Sequence, residues 1–329
     1  MTIPPTRRRI GALVATILAA SLALAGCASS APGDDADDSS NGASTGAFPV
    51  TVETAYGDIT LDEKPERIVV LGVDFVDILT SLGEEPTAFA DEGYRNPGIS
   101  NVPWLDGKIS NDLWDVDMSS SNIEAIAKHN PDLVIAWGND VDESIYEKLS
   151  EVAPVYVPDH TAGADWKPIA TEIGLLTGKS EEAKEQIAAV EQTYADAREQ
   201  LQGLQGKTYL VGTLLDGQVI LSPWTFLSDL GLVPADSHPT DGYPRLSMEN
   251  LDQLQADVVM LVAFDDDTTN KFKSDPRVAD LPASKNGTLI YLPANFYGAA
   301  GRAAPANMTW KSDQLVSLLE DTARNQRGQ

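Results

Sequence analysis

The chain has 329 residues, with 50 acidic and 23 lysine or arginine side chains, so its formal net charge is −27. Loss of residues 1–26 would remove three arginines and no acids, leaving −30. A surface this acidic repels nucleic acids and anionic headgroups, so nucleic acid is excluded as a partner. Residues 49–329 are long enough for two ordinary domains.

Residues 1–26 are typical of a secretory signal peptide. Three arginines at residues 7–9 precede the apolar run IGALVATILAASLALA at residues 10–25. This run is shorter than the ~20 residues of a transmembrane helix. Its end, LAGC, resembles the bacterial lipobox, whose cysteine is lipidated and becomes the mature N-terminus. Lipidation is therefore predicted at Cys27, the chain's single cysteine. An ordinary signal is the alternative, and export by the Sec or twin-arginine route stays open.

Residues 27–48 are predicted to form the lipidated cysteine and a flexible tether. Between residues 28 and 47 the chain contains only Ala, Ser, Gly, Asp, Pro, Asn and Thr, which cannot bury a core. The segment order predicts an exported protein that lipid anchors to the outer face of the cytoplasmic membrane.

An internal repeat organises the remaining sequence. SNIEAIAKHNPDLVIAW (121–137) aligns without gaps with LSMENLDQLQADVVMLV (246–262), matching Glu124 with Glu249 and Asp132 with Asp257. Each copy predicts a short amphipathic helix, a tight turn ending in Asp, and a buried strand.

Another strand-then-helix pattern precedes each copy. RIVVLGVDFVDILTSLG (67–83) stands before the first, and TYLVGTLLDGQVILSPWTFLSDLG (208–231), with an extra strand, before the second. Apolar strands that alternate with helices predict an α/β fold with two lobes built on mainly parallel sheets.

The segment SEEAKEQIAAVEQTYADAREQLQ (180–202) predicts one long helix between the lobes. It is rich in helix formers, with Ser180 as N-cap and Gly203 just past its end, and would measure about 34 Å. The predicted organisation is an N-terminal α/β lobe at 49–179, a linker helix at 180–203 and a C-terminal α/β lobe at 204–329. A bundle helix is the alternative.

These segments, with KPERIVVLG (64–72) and LPANFYGAAG (292–301), resemble the periplasmic-binding-protein family that captures ferric siderophores, vitamin B12 and haem for ABC importers. The similarity covers about residues 50–325, and the last segment is most like the ferric-hydroxamate branch. The resemblance implies a rigid helical hinge and a shallow cleft between the lobes. It also implies a ferric siderophore as ligand, an ABC permease with its ATPase as partner, and a monomer.

The sequence departs from that branch at one position. In the branch, an arginine that contacts the iron-bound oxygens precedes the N-lobe NxE helix, whereas here Met118 and three serines stand there without a cation. Arg95, Arg245 and Arg302, predicted to lie in other loops, are the candidates to replace it.

The predicted ligand site is an aromatic platform. A siderophore fills the iron's coordination sphere, so the protein needs no metal ligand and no cofactor of its own, only aromatic surface and a few donors. Ligands of α/β proteins bind beyond the carboxyl ends of strands. Aromatic candidates at strand ends and in loops are Tyr94, Trp104, Trp114, Trp137, Trp224, Tyr243, Phe296 and Tyr297. Trp224, read as opening a helix, Phe296 and Tyr297 are favoured by the resemblance, and a place in the core is the alternative for each.

Two other ligands of the same fold stay open, namely haem and cobalamin. His129, His160 and His238 are the possible haem ligands, although the sequence has no HxxxH motif and no clustered acids. A surface-anchored hydrolase is the rival of a different class. The chain lacks GxSxG, HExxH and P-loop motifs, so we expect a binding protein and not an enzyme.

Glu124 and Glu249 occupy matching positions of the repeat. Ser121 and Glu124 fit a capping box, and Glu249 suits the first turn of a helix. The resemblance implies that such paired glutamates, one in each lobe, dock into arginine pockets on the permease.

Overall fold

Two β-sheets with helices packed around them are seen in the computed structural model, which describes residues 48–91, 102–159 and 165–326. All described residues belong to one compact unit. The predicted signal peptide, Cys27 and nearly all of the predicted tether lie outside the described residues. The same is true of Tyr94, Arg95 and His160.

The first sheet has four parallel strands in the order β4-β3-β5-β6. Each residue of these strands is buried, which explains their continuous apolar sequences. The elements of this half are β1 (Val50–Val52), β2 (Ile59–Leu61), β3 (Ile68–Leu71), α1 (Val73–Ser81), β4 (Ala88–Ala90), α2 (Ile123–Ala127), β5 (Leu133–Ala136), α3 (Glu143–Ser150), β6 (Val155–Tyr156) and α4 (Trp166–Leu176). Strands β1 and β2 form a separate antiparallel pair.

The predicted linker helix is present as α5 (Ser180–Gln200). Its N-cap is Lys179 and not Ser180, and no side chain caps the first turn. The Lys179 Nζ instead lies 2.9 Å from Glu182 Oε1, and two glutamates in the first turn suit the helix dipole. Among the described residues, no helix combines the length and apolarity needed to cross a membrane.

The second sheet has the order β10-β8-β7-β11-β12, and β9 also pairs with β7. Strands β7, β11 and β12 are parallel, whereas β8 runs antiparallel to β7 and β10 antiparallel to β8. The elements are β7 (Thr208–Leu215), β8 (Gln218–Leu221), β9 (Val233–Pro234), β10 (Arg245–Ser247), β11 (Val258–Ala263), α6 (Asp266–Lys273), α7 (Pro276–Asp280), α8 (Pro282–Lys285), β12 (Leu289–Leu292), α9 (Asn295–Ala300) and α10 (Pro305–Gln326).

The internal repeat is confirmed by equivalent contacts in the two sheets. Asp132 Oδ1 accepts a 2.8 Å hydrogen bond from the Arg67 backbone N–H, and Asp257 Oδ2 accepts one of 2.8 Å from Thr208. Each aspartate thus ties the start of the middle strand to the start of its neighbour. The helices differ, because the second copy forms a 3₁₀ helix over Met248–Gln253.

Two local predictions for the second half are corrected. No helix begins at Trp224, which lies in a non-helical segment after β8, and the next helical turn is the 3₁₀ turn Ser228–Leu230. Arg245 does not lie in a loop, because it is the first residue of β10.

The halves share one hydrophobic cluster that includes residues of β3, β5, β7, β11 and α10. Helix α10 packs against both α5 and α1, so the C-terminal segment contacts the N-terminal half. The lobe boundaries at residues 179 and 204 stay a prediction.

Asp77 is a buried carboxylate that fixes the start of α10. It lies on α1 and accepts 2.8 Å hydrogen bonds from the backbone N–H groups of Ala306 and Asn307. These amides belong to the first turn of α10 and have no partner within their own helix. Burial raises the pKa of Asp77 to about 7, although the two amides oppose the rise.

This raised pKa predicts a pH-dependent stability. Between the unfolded value of 3.8 and the folded value of about 7, the native state binds more protons than the unfolded state. The contribution of Asp77 to the free energy of unfolding is therefore greatest below 3.8 and is lost as the pH rises to about 7. Relative to Asp77→Asn, the wild type should lose up to about 1.4 kcal/mol per pH unit across this window.

Denaturant unfolding of both proteins across the window measures the effect. Asp196→Asn, an exposed change on α5, is the matched control and should run parallel to the wild type. A pH-independent difference between the wild type and Asp77→Asn would contradict the prediction.

Candidate ligand-binding site

The carboxyl edge of the first sheet carries Gly72, Asp91 and Trp137. They directly follow β3, β4 and β5, whose last residues are aligned by the register. Gly72 has φ 139°, and a Cβ there would lie 3.0 Å from Trp137 Cδ1, so only glycine fits against this ring. Trp137 also packs on Phe75, with 4.4 Å between ring centroids. It is therefore buried at the edge of the sheet.

The carboxyl edge of the second sheet carries exposed aromatic rings. Phe264 follows β11, and Tyr297 lies on α9, after β12. The Tyr297 ring centroid lies 5.3 Å from that of Phe264 and 5.4 Å from that of Trp224. Phe264 is 48% exposed and Tyr297 45%, whereas Trp224 is 9% exposed. We call Trp224, Phe264 and Tyr297 the aromatic platform, because adjoining exposed aromatics are typical of binding surfaces.

Two neighbours fix the position of Trp224. A Cβ on Gly301 would lie 3.3 Å from Trp224 Nε1, so the ring packs against bare backbone. His238 Nε2 lies 3.1 Å from the Trp224 carbonyl oxygen, and its Nδ1 lies 2.9 Å from the Pro239 carbonyl oxygen. Both nitrogens of His238 thus face backbone acceptors and do not point at a ligand.

The other histidine that the structure describes is also engaged. His129 Nε2 lies 2.9 Å from Asp115 Oδ2, which lowers the pKa of Asp115. Within the described ranges, no group of three or more His, Cys, Asp or Glu side chains could hold a metal ion.

Phe296 and Trp104, both predicted to touch the ligand, lie in the core instead. Phe296 is 0% exposed and packs against Phe226 at 5.4 Å and Trp310 at 5.5 Å. Trp104 is buried with its ring 5.9 Å from Trp310. On α9 the inward side chain is Phe296 and the outward one is its neighbour Tyr297, so Phe296 supports the aromatic platform from below.

Within the described ranges, Trp114 and Tyr243 make no ring contact with the aromatic platform. Trp114 is half-buried, with its ring 5.1 Å from Phe89 beside β4. Tyr243 is 58% exposed, and Arg245 on β10 is separated from β11 by the strands β8 and β7. Of the predicted aromatics, the structure brings Trp224 and Tyr297 together.

Arg302 follows α9 and joins the two halves of the protein. Its Nη1 lies 3.0 Å from Asp74 Oδ2 and its Nη2 lies 3.1 Å from Asp91 Oδ2. Asp91 Oδ2 also accepts a 2.9 Å hydrogen bond from the Val73 backbone N–H. We call Asp74, Asp91 and Arg302 the ionic cluster, which lies beyond the carboxyl ends of β3 and β4.

Burial sets the protonation of this region. It raises the pKa of Asp74, while the Arg302 guanidinium opposes the rise. The Lys311 ammonium, which donates a hydrogen bond to the Arg302 carbonyl oxygen, is also buried, and its pKa is lowered to about 8. The cations of the region therefore lie against carboxylates and backbone.

Sequence reasoning missed Phe264, Asp74 and Asp91. Phe264 carried a usable signal, because it is the first residue after an apolar strand, as Trp137 is. The pairing of Asp74 and Asp91 with Arg302 carried no signal, since Asp74 stands 228 residues before the arginine that it contacts.

Comparison with known proteins agrees with this architecture. The periplasmic binding protein family matches residues 68–296. The chain is 25% identical over 284 residues to the Fe(3+)-citrate-binding protein YfmC of Bacillus subtilis, covering 84% of this chain and 87% of that protein. It is 26% identical over 264 residues to the ferric enterobactin-binding periplasmic protein FepB of Escherichia coli O6:H1, covering 73% and 82%.

A solved structure shows the same fold. The periplasmic solute binding protein of Mycobacterium smegmatis superposes with a TM-score of 0.69 at 27% identity, covering 84% of this chain and 99% of that chain. The prediction of a two-lobed α/β fold is thereby confirmed. The family and these relatives are binding proteins, which confirms the prediction that the chain is not an enzyme. This chain belongs to the periplasmic binding protein family.

Proposed function

We propose that the protein is the extracytoplasmic substrate-binding lipoprotein of an ABC importer, and that it captures a ferric siderophore and delivers it to the permease. The observation that carries this proposal is the aromatic platform at the carboxyl edge of the second sheet, two of whose three rings are exposed and whose Tyr297 lies on the helix before Arg302. A siderophore complex presents apolar and oxygen-rich faces, which suit aromatic rings and a guanidinium donor. The similarity to YfmC and FepB, a ferric citrate-binding and a ferric enterobactin-binding protein, supports an iron complex as ligand.

The ligand class that we propose is a ferric hydroxamate. The two relatives bind chemically different complexes, so similarity alone does not select among them. The segment from Met118 to Ser121 carries no cation, and Arg302 is paired with two carboxylates. A hydroxamate complex carries little charge and needs no excess of cations.

Ligand titrations test this assignment. We expect ferrichrome to quench the intrinsic tryptophan fluorescence and to bind more tightly than ferric enterobactin, haem or cobalamin, because Trp224 lies in the aromatic platform. Haem or cobalamin as the tightest ligand would replace the hydroxamate assignment. Tightest binding of ferric enterobactin would contradict the argument that the site suits complexes of little charge.

Alanine variants locate the site. Tyr297→Ala and Phe264→Ala should each weaken ferrichrome binding by roughly thirtyfold, which corresponds to about 2 kcal/mol for a well-packed aromatic contact. Tyr146→Ala, which removes a partly exposed aromatic on α3 that stacks on Tyr56, is the matched control and should leave affinity unchanged. Equal affinities in all three variants would place the site elsewhere.

Glu124 and Glu249 are proposed to dock the protein onto the permease. Both side chains are exposed. The predicted capping box is wrong, because the N-cap of α2 is Asn122, whose Oδ1 accepts from the Ala125 N–H at 3.3 Å. Ser121 Oγ instead lies 3.1 Å from Ser119 Oγ. Glu124 therefore does not form a capping box with Ser121, and its side chain is not needed to cap α2.

Charge reversal tests docking. In Glu124→Arg with Glu249→Arg, we expect ferrichrome affinity to stay within about threefold and uptake by cells to collapse, since complementary charge governs orientation and encounter. Glu147→Arg with Glu199→Arg changes the same charge at two other exposed sites and should preserve uptake. Normal uptake by the first pair would remove the docking role.

The membrane anchor is proposed at Cys27. Cys27→Ser should release the protein into the medium or leave an unprocessed precursor, because the acyl chains that hold it would be missing. Cell fractionation and the mass of the N-terminal peptide measure this, with Ser29→Ala as the control. Unchanged membrane retention of Cys27→Ser would refute the anchor.

A further inference from the structure

The ionic cluster places two acids against an arginine whose neighbour in sequence, Gly301, packs on Trp224. Arg302 follows Tyr297 by five residues, at the end of the helix that carries it. The Arg302 side chain is 18% exposed, whereas those of Asp74 and Asp91 are 4% and 5% exposed. The arginine is therefore the member that reaches the surface, and its two counter-charges lie behind it.

This arrangement cancels the charge of the arginine. Two carboxylate oxygens lie 3.0 and 3.1 Å from the two terminal nitrogens of one guanidinium. When both acids are ionised the ionic cluster carries one net negative charge, and when Asp74 holds a proton it is neutral. In neither state does it offer net positive charge to a ligand, although Arg302 keeps its planar shape and its N–H donors.

We infer that Asp74 and Asp91 determine the charge specificity of the site, which favours ferric complexes without net negative charge. This inference rests on the proposed function. An arginine whose charge is cancelled still donates hydrogen bonds to ligand oxygens, but it does not offset the repulsion between an anionic complex and this acidic protein. Cationic and uncharged hydroxamate complexes meet no such penalty.

A purely structural role for the ionic cluster makes a different prediction. If the ion pairs only joined the two halves, loss of one acid would weaken every ligand equally or weaken none. A role in specificity changes affinities in opposite directions according to ligand charge. The readout is therefore the ratio of affinities and not any single affinity.

The experiment uses the full chain and three ferric complexes, namely cationic ferrioxamine B, uncharged ferrichrome and strongly anionic ferric enterobactin. Asp91→Asn keeps an oxygen that can accept from the Val73 N–H, but it makes the net charge of the ionic cluster one unit more positive. We expect it to tighten ferric enterobactin by about tenfold, weaken ferrioxamine B by about threefold and change ferrichrome by less than about twofold. Asp74→Asn should shift the affinities in the same directions but by less, because burial raises the pKa of Asp74 and so lowers the charge that it carries. It is the second variant if Asp91→Asn does not fold.

Asp196→Asn on α5 is the matched control, because it makes the same change in net charge far from the ionic cluster. It should leave all three affinities in their wild-type order. Thermal unfolding and circular dichroism establish that each variant is folded.

The possible failures are distinguishable. If the wild type binds none of the three complexes, the proposed function fails and the inference fails with it. If the wild type binds them but Asp74→Asn and Asp91→Asn leave the ratio of enterobactin to ferrichrome affinity within about twofold, only the inference is overturned. A shift of the same size in Asp196→Asn would also overturn it, by showing that net charge alone sets the ratio.

Discussion

The attachment of the segment after β12 to the N-terminal half is the interaction on which the candidate site depends. Asp74 and Asp77 on α1, with Asp91 after β4, bind that segment at Arg302 and at the first amides of α10. Three acids of one half thus hold the chain that carries Tyr297. Removing one partner of a buried ion pair typically costs about 3–5 kcal/mol, because the other charge is then left buried and unpaired. A separation of the two halves at Arg302 would therefore leave Asp74 and Asp91 without their counter-charge.

The position of the aromatic platform follows from this attachment and from the sheets. Parallel strands end at one edge, so the residues after β11 and β12 are neighbours although they are distant in sequence. The rings of Phe226, Phe296 and Trp310 pack together in the core, and Phe296 is the neighbour of Tyr297 on α9. Packing of this kind lowers the entropy lost on binding, because the exposed rings are already oriented before the ligand arrives.

Much of the fold could be predicted because it depends on local pattern. Continuous apolar strands, the repeat and the linker helix are properties of short windows, and the strand Leu133–Ala136 and the helix from Ser180 were predicted nearly to the residue. The sequence could not show which of Phe296 and Tyr297 faces outward on α9, because the two residues are adjacent and similar. Asp74 and Asp91 could not be predicted as site residues, because pairing across the whole chain leaves no local signal.

The pairing of Arg302 with two acids reconciles two features that otherwise conflict. A protein with a formal charge of −27 would be expected to surround an anionic ligand with cations. Arg302, which joins the two halves, instead lies against two acids. For a ligand without net negative charge, the conflict disappears. An arginine without these acids would lose its hydration when such a ligand binds and would gain no ion pair in return. On the inference that Asp74 and Asp91 set the charge specificity, the acids that join the halves also suit the site to an uncharged complex, and a single set of contacts would serve both the fold and the choice of ligand.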